Sequence, residues 1–229
     1  LLKTPDALLN GQGVVDVIQS CIPNIKNAWK MPSVDVDTVL IAIRIATFGN
    51  KMSFDSKCTN CGESNEHEIE LSETLDSIAC PDYTQTVPYS TLKIKLHPQP
   101  YFSVNRTNEI TFEEQRLLNV LNQDGIDPEI RQQKLSESMQ RLVDLGIDAV
   151  TDSTEYIEFD DGERVANREF IKEFYNKAES SVVKQVQDKL GSIAEQSKIK
   201  PFNLHCNHCT KEYKAEITFD YSNFFGNGS

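Results

Sequence analysis

The sequence has no long apolar run. Its longest candidate, Val39 to Phe48, is interrupted by Arg44 and falls far short of the roughly 18 residues of a spanning helix, so no membrane span is expected. Positive charge is also short: 23 lysines and arginines face 35 aspartates and glutamates, for a net charge of −12. Affinity for a polyanion comes from clustered cations that displace its counterions. Here the basic residues stand singly or in pairs, apart from a mild rim at Lys198, Lys200 and Lys211. Nucleic acid and anionic membrane are therefore disfavoured as partners.

Catalytic vocabulary is missing as well. There is no phosphate loop, GxGxxG, GxSxG or HExxH. Of only four histidines, two lie beside cysteines. A histidine-based nucleophile system would need His67, in an alternating strand, or His97, at a proline turn, both ordinary structural positions. No enzyme is expected. No repeat or low-complexity tract occurs beyond one paired cysteine motif. Residues Leu1 to Asn10 do not read as a signal segment, because Pro5 and Asp6 interrupt the apolar stretch.

What remains is a chain of 229 residues, long enough for one large domain or two small ones, and expected to be soluble. Gly13 to Trp29 has helical periodicity broken by Pro23. Asp35 or Asp37 is placed to cap a second helix ending at Gly49. That helix, with Leu40, Ile41, Ala42, Ile43, Ile45 and Ala46, is apolar nearly all round, which predicts central burial or cover by another subunit.

Two strand–knuckle–strand units share one grammar. In Lys51 to Leu71, Met52 and Phe54 precede CTNCG, and His67, Ile69 and Leu71 alternate after it. In Lys198 to Phe219, Ile199, Phe202 and Leu204 precede CNHC, and Tyr213, Ala215, Ile217 and Phe219 follow. The intervening segment carries one strand, Thr91 to Leu96, and is otherwise mainly helical. Thr111 with Glu114 suggests a capping box for Phe112 to Asn122. Asp127-Pro128 opens Glu129 to Leu145, with Leu135, Met139 and Leu142 as its stripe. A strand pair, Glu155 to Val165, turns at Asp161-Gly162; its acidic run, Glu155 to Glu163, reads as a solvated hairpin, with a basic partner as the alternative. Asn167 caps a helix to Lys177, and Ser180 or Ser181 another to Glu195.

Cys58 with Cys61, and Cys206 with Cys209, each place two thiolates on a tight turn. Four soft sulfur donors satisfy zinc and leave no position for substrate, which marks a structural site. Iron in a rubredoxin-like site would use the same set, and the alternative to ligation is four cysteines that merely line turns. Gly62 after Cys61 relieves crowding where amides point at sulfurs, whereas Thr210 holds the matching place. The knuckles are separated by 144 residues, Gly62 to His205, far beyond a compact finger, so a small metal module has been split by an insert and would clamp its ends. His205 and His208 offer a Cys3His set but are better placed as polar neighbours. Cys80 reads as a turn residue, Cys21 as a core residue, and Trp29 as a partner anchor or a buried helix-end contact. Paired thiols in a chain of this size point to a reducing, cytoplasmic setting.

The expected fold is therefore α+β: a split zinc-ribbon of two strand–knuckle–strand hairpins with a mostly helical insert and N-terminal helices. Residues 1–50 are the N-terminal helices, 51–81 and 198–229 the zinc-ribbon-like metal module, and 82–197 the insert.

The run MPSVDVDTVLIAIRIATFGNKMSFDSKCTNC (residues 31–61), and later EFDDGERVANREFIKEFYNKA (residues 158–178) before the second knuckle, resembles the T4-like phage base plate protein family. The resemblance spans most of residues 28–225 and is most specific in about 30–70 and 155–220. It implies a structural or assembly component of a contractile-tail baseplate, in or near the central hub. It implies other baseplate or tail proteins as partners in a hetero-oligomer, a place in the virion after assembly in the host cytoplasm, and Cys58, Cys61, Cys206 and Cys209 as metal ligands. The competing reading is a zinc-ribbon nucleic-acid-binding or transcription-type adaptor. Against it, Glu63, Glu66, Glu68, Glu70 and Glu73 line the first outgoing strand.

Overall fold

The computed structural model describes residues 11–122 and 127–216. In chain order the elements are α1 (Gln12–Cys21), a 3-10 turn (Ala28–Lys30), α2 (Ser33–Phe48), β1 (Lys51–Lys57), β2 (Ser64–Glu70), α3 (Leu71–Ser77), β3 (Thr86–Tyr89) and β4 (Leu92–Leu96). There follow α4 (Tyr101–Leu121), α5 (Pro128–Asp152), β5 (Thr154–Glu158), β6 (Arg164–Val165), α6 (Arg168–Lys177), α7 (Ser180–Gln196), β7 (Phe202–His205) and β8 (Glu212–Ala215). Two compact units result. The described parts of the first fall in Leu1–Ala28, Val34–Pro81 and Ala194–Ser229, and the second comprises Trp29–Ser33 and Asp82–Ile193.

In the first unit, α1 buries Val14, Val15 and Ile18. It stops at Cys21, before Pro23, which cannot donate to a helix. Cys21, expected in the core, is exposed, because the buried stripe ends one turn earlier. Helix α2 starts at Ser33, ahead of the expected cap, and Asp35 lies in its first turn, where a carboxylate suits the helix dipole. It ends as expected before Gly49 (φ 90), whose N–H donates to the Ile45 carbonyl at 3.0 Å. Val36, Leu40, Ile41 and Ile43 are buried, as is Arg44, whose guanidinium lies 4.8 Å from the Phe48 ring centroid. Ala42, Ala46 and Phe48 are exposed, so the helix is buried on one side only; the small alanines leave little apolar surface to cover. Strands β1 and β2 form an antiparallel hairpin with Phe54 opposite His67. Leu71, expected as the last inward strand residue, instead opens α3, because the Asn50 side chain accepts from the Ser72 N–H at 2.8 Å and starts a helix there. Strands β7 and β8 pair with Leu204 opposite Tyr213. Ile217 and Phe219 lie outside the described residues.

The second unit is built on a four-stranded antiparallel sheet in the order β3-β4-β5-β6. Strand β3 goes beyond the single strand expected here. Pro88 obscures it, and an edge strand tolerates the missing N–H. Val87, Ile94, Leu96 and Ile157 pack with Val150 of α5, Ile171 and Tyr175 of α6, and Val182, Val186 and Ile193 of α7. The Asn167 and Asp127 side chains cap α6 and α5 as expected, each accepting from two backbone N–H groups. Helix α5 runs on to Asp152 instead of ending at Leu145. Helix α4 begins at Tyr101, since Pro100 supplies a pre-set φ at its N-cap, and Thr111 and Glu114 fall in mid-helix without forming a capping box. Glu114 is buried and pairs with Arg141 of α5 at 3.0 Å, while Met139 is 70% exposed and Leu142 is also exposed. The expected Leu135–Met139–Leu142 stripe is thus not the buried side. Trp29 stacks on Tyr101 at 5.5 Å, beside the Tyr101 N–H bond to the Met31 carbonyl and the Ser33 N–H bond to the Gln99 carbonyl, both 2.8 Å. These contacts tie Trp29–Ser33 to the second unit. Among the described residues, no helix is long and apolar enough to cross a membrane.

At the centre of this core, the Tyr175 hydroxyl lies 2.8 Å from Thr154 Oγ1, which donates to the Val150 carbonyl. Burial pushes the Tyr175 phenol up to about 12, against the opposing effect of the Thr154 bond. A raised folded pKa contributes stability that is full below the unfolded value near 10 and lost as pH rises toward 12. Urea unfolding across this range should show wild-type stability falling relative to Tyr175→Phe by on the order of 2–3 kcal/mol; parallel pH profiles would contradict the assignment.

Candidate metal centre

The backbone turns of the two knuckles are built alike. In the first, the Gly62 N–H donates to the Cys58 carbonyl at 2.9 Å and the Cys58 N–H to the Glu63 carbonyl at 2.9 Å. In the second, the Thr210 N–H donates to the Cys206 carbonyl and the Cys206 N–H to the Lys211 carbonyl, both at 3.0 Å. Each turn therefore needs a left-handed residue just after its second cysteine. Gly62 takes φ 79 without strain, whereas Thr210 takes φ 59, a costly conformation for a β-branched side chain. That a threonine is held there shows how firmly the surrounding bonds define the turn.

The hairpins bring all four sulfurs together. Cys58 Sγ lies 3.7 Å from Cys209 Sγ, and Cys61 Sγ lies 3.6 Å from Cys206 Sγ; all four lie within 4.8 Å of one another. A disulfide would need about 2.05 Å, so these are four free thiols. A metal–sulfur bond of about 2.3 Å in a regular tetrahedron implies edges of about 3.8 Å, which the two close pairs match. Backbone N–H groups already face the sulfurs: Asn60 donates to Cys58 Sγ, and His208 and Cys209 donate to Cys206 Sγ, each at 3.4 Å. The Cys209 amide foremost, then that of His208, draws the Cys206 thiol down to about 6 against its loss of hydration. For Cys61 the Glu63 amide acts downward, but loss of water and the three neighbouring sulfurs outweigh it and push the thiol up to about 12. Cys61 therefore stays a thiol beside Cys206 at neutral pH unless a cation compensates the crowded sulfurs.

Polar side chains lock one hairpin to the other. Asn65, buried on β2, accepts from the Asn207 N–H at 2.7 Å and donates to the Glu63 carbonyl at 3.0 Å. Tyr213 Oη sits 2.6 Å from Ser56 Oγ and 2.8 Å from His67 Nε2. Sequence reasoning missed Asn65 and left His67 as an ordinary strand residue. The available signal was phase, since Asn65, His67 and Ile69 share the inward side of β2. Cys58, Cys206, Tyr213 and Ala215 form a small core of their own, with Phe54 and Leu204 against it. Among the described residues the cluster able to hold a metal ion consists of these four cysteines. His205 turns to Glu212 at 3.1 Å, and His97 Nδ1 lies 2.8 Å from the Pro98 carbonyl.

A tetracysteine cluster assembled from two hairpins, joined to the α2 sequence and the α6 segment, is the combination the sequence resemblance rested on. The model of the T4 bacteriophage base plate protein family matches residues 2–226. The chain belongs to that family. As a phage base plate protein it has a structural setting in the tail, where its partners are other tail proteins. Comparison with curated proteins and with solved structures yields no match.

Proposed function

We propose that this base plate protein is a non-catalytic structural or assembly component of the central hub region, and that Cys58, Cys61, Cys206 and Cys209 bind one structural zinc ion. The convergence of four sulfurs from hairpins 144 residues apart, within a base plate family chain, carries this reading. The donor set fits the ion: soft thiolates, near-tetrahedral spacing and facing amides. Iron would accept the same sulfurs, and its visible absorption distinguishes it from colourless zinc. In this reading residues 51–81 and 198–229 are the metal module, 82–197 the insert whose two ends it clamps, and 1–50 the N-terminal helices.

Exposed apolar side chains favour packing against other chains: Phe112, Val120, Ile130, Met139 and Val143 on α4 and α5 are each more than half exposed. The β2 acids Glu66 and Glu68 are exposed and disfavour a nucleic-acid partner. Quantitative mass spectrometry of purified particles beside infected-cell lysate tests the role. A fixed ratio to the tail-tube and baseplate proteins identifies a virion subunit assembled in the host cytoplasm. Presence in lysate alone identifies an assembly factor that leaves. Absence from every tail intermediate overturns the reading.

A further inference from the structure

A groove of about 390 Å³ runs between the β5–β6 hairpin and α6, and its walls are Phe159, Val165, Phe170, Ile171, Phe174 and Ala178 among others. Phe159 is 40% exposed and Phe170 64%, although the cores of β5 and α6 are well packed around them. Both walls are rigidly set. The Phe159 N–H donates to the Glu163 carbonyl, and the Gly162 N–H donates to the Phe159 carbonyl, each at 2.9 Å, so Phe159 is fixed at the mouth of the turn. Phe170 is fixed in the first turn of α6 by the Asn167 cap, which takes its N–H at 3.2 Å. The groove is thus preformed, and it opens beside β6, the end strand of the sheet.

The groove is lined by one ion pair, Lys177 with Glu173, and the charge left over around it is negative. Every cation in this part of the chain is engaged internally: Arg164 and Lys93 with Glu158, Lys177 with Glu173, and Arg168 and Lys172 with Asp148. Asp160, Asp161, Glu163 and Glu169 form no ion pair among the described residues and lie exposed around the turn and the start of α6. An apolar slot with uncompensated carboxylates at its edge is complementary to an apolar side chain flanked by lysines or arginines.

We propose that this groove docks a short basic amphipathic segment of a partner protein, with an aromatic or aliphatic side chain entering between Phe159 and Phe170 and its cations meeting Asp160, Asp161 and Glu163. The site is independent of the metal centre and of the hub assignment, so it stands or falls by itself.

The test is fluorescence anisotropy of the full chain with three labelled synthetic peptides: one alternating leucine and lysine at helical spacing, one with glutamate for lysine, and one with serine for leucine. The leucine–lysine peptide should bind, weaken with salt, and exceed both controls by roughly tenfold or more. Phe170→Asp decides between docking and general attraction to an acidic protein. It adds negative charge, so non-specific binding would rise; docking should fall by roughly tenfold or more with the melting temperature unchanged. Equal binding by the glutamate peptide, or undiminished binding by Phe170→Asp, overturns the proposal. Two other occupants are read from the same protein. A dimer in sedimentation that Phe170→Asp abolishes would assign the groove to a second copy. A cross-link from benzoylphenylalanine at position 170 to residues 217–229 of its own chain would assign it to that segment. Either result also overturns the proposal, whereas a cross-link to a Lys- or Arg-flanked apolar residue of another tail protein supports it.

Discussion

Replacing Cys58 or Cys209 by serine should release the metal and lower the melting temperature by roughly 10–20 °C, corresponding to about 5 kcal/mol or more. A serine hydroxyl is neither soft nor ionised at neutral pH and does not replace a thiolate at zinc. The loss exceeds that of one bond because the hairpins approach each other through their sulfurs and a small core of Cys58, Cys206, Tyr213 and Ala215. Without the ion, three thiols remain crowded within 4.8 Å, and the two knuckles, 144 residues apart in the chain, lose their tie. Chelation of the wild-type protein should reproduce the shift, and readdition of zinc should reverse it. Elemental analysis beside thermal unfolding decides the matter: a full metal complement and wild-type melting in either variant would end the shared-site reading. Left in air, the metal-free protein is expected to form disulfides between Cys58 and Cys209 and between Cys61 and Cys206, the pairs at 3.7 and 3.6 Å, visible by peptide mapping.

Ile43→Asp is expected to prevent folding or leave the protein insoluble. Ile43 is 6% exposed in the middle of α2, and a carboxylate there would lose its hydration without a partner, costing more than about 4 kcal/mol. Arg44 does not rescue it, because neighbours one residue apart on a helix point in different directions. Ala42→Asp is the control. Ala42 is exposed in the same turn, so its stability should change by less than about 1 kcal/mol. A soluble Ile43→Asp variant with wild-type melting would mean that this side of α2 is not buried.

Features set by neighbours in sequence were legible. The two knuckles, the Asn167 and Asp127 caps and the Asp161-Gly162 turn depend on residues within a few positions, and all occur where their residue types place them. Features decided at a distance were not. Thr111 and Glu114 have the spacing of a capping box, but the helix has already begun at Tyr101, ten residues before Thr111. Glu114 is then buried against Arg141, an ion pair across two helices that no local pattern announces. The stripe of α5 shows the same limit. Periodicity groups Leu135, Met139 and Leu142 but does not say which side the fold will cover, and buried Ser138 and Leu145 mark the side it chose. At the candidate metal centre the cysteines were evident from spacing, whereas Asn65, which fastens one knuckle to the other, became visible only when its partner Asn207 was brought beside it.

The distance along the chain between the two cysteine pairs also sets a timetable. A ribosome adding about 5–20 residues per second needs roughly 7–30 s to pass from Cys61 to Cys206 across the 144 intervening residues. During that interval the first hairpin carries two unmatched thiols while the sheet and helices of the second unit emerge and are free to fold. The four-sulfur cluster therefore cannot exist until that unit has been synthesised, and its closure is a late event in the birth of the protein.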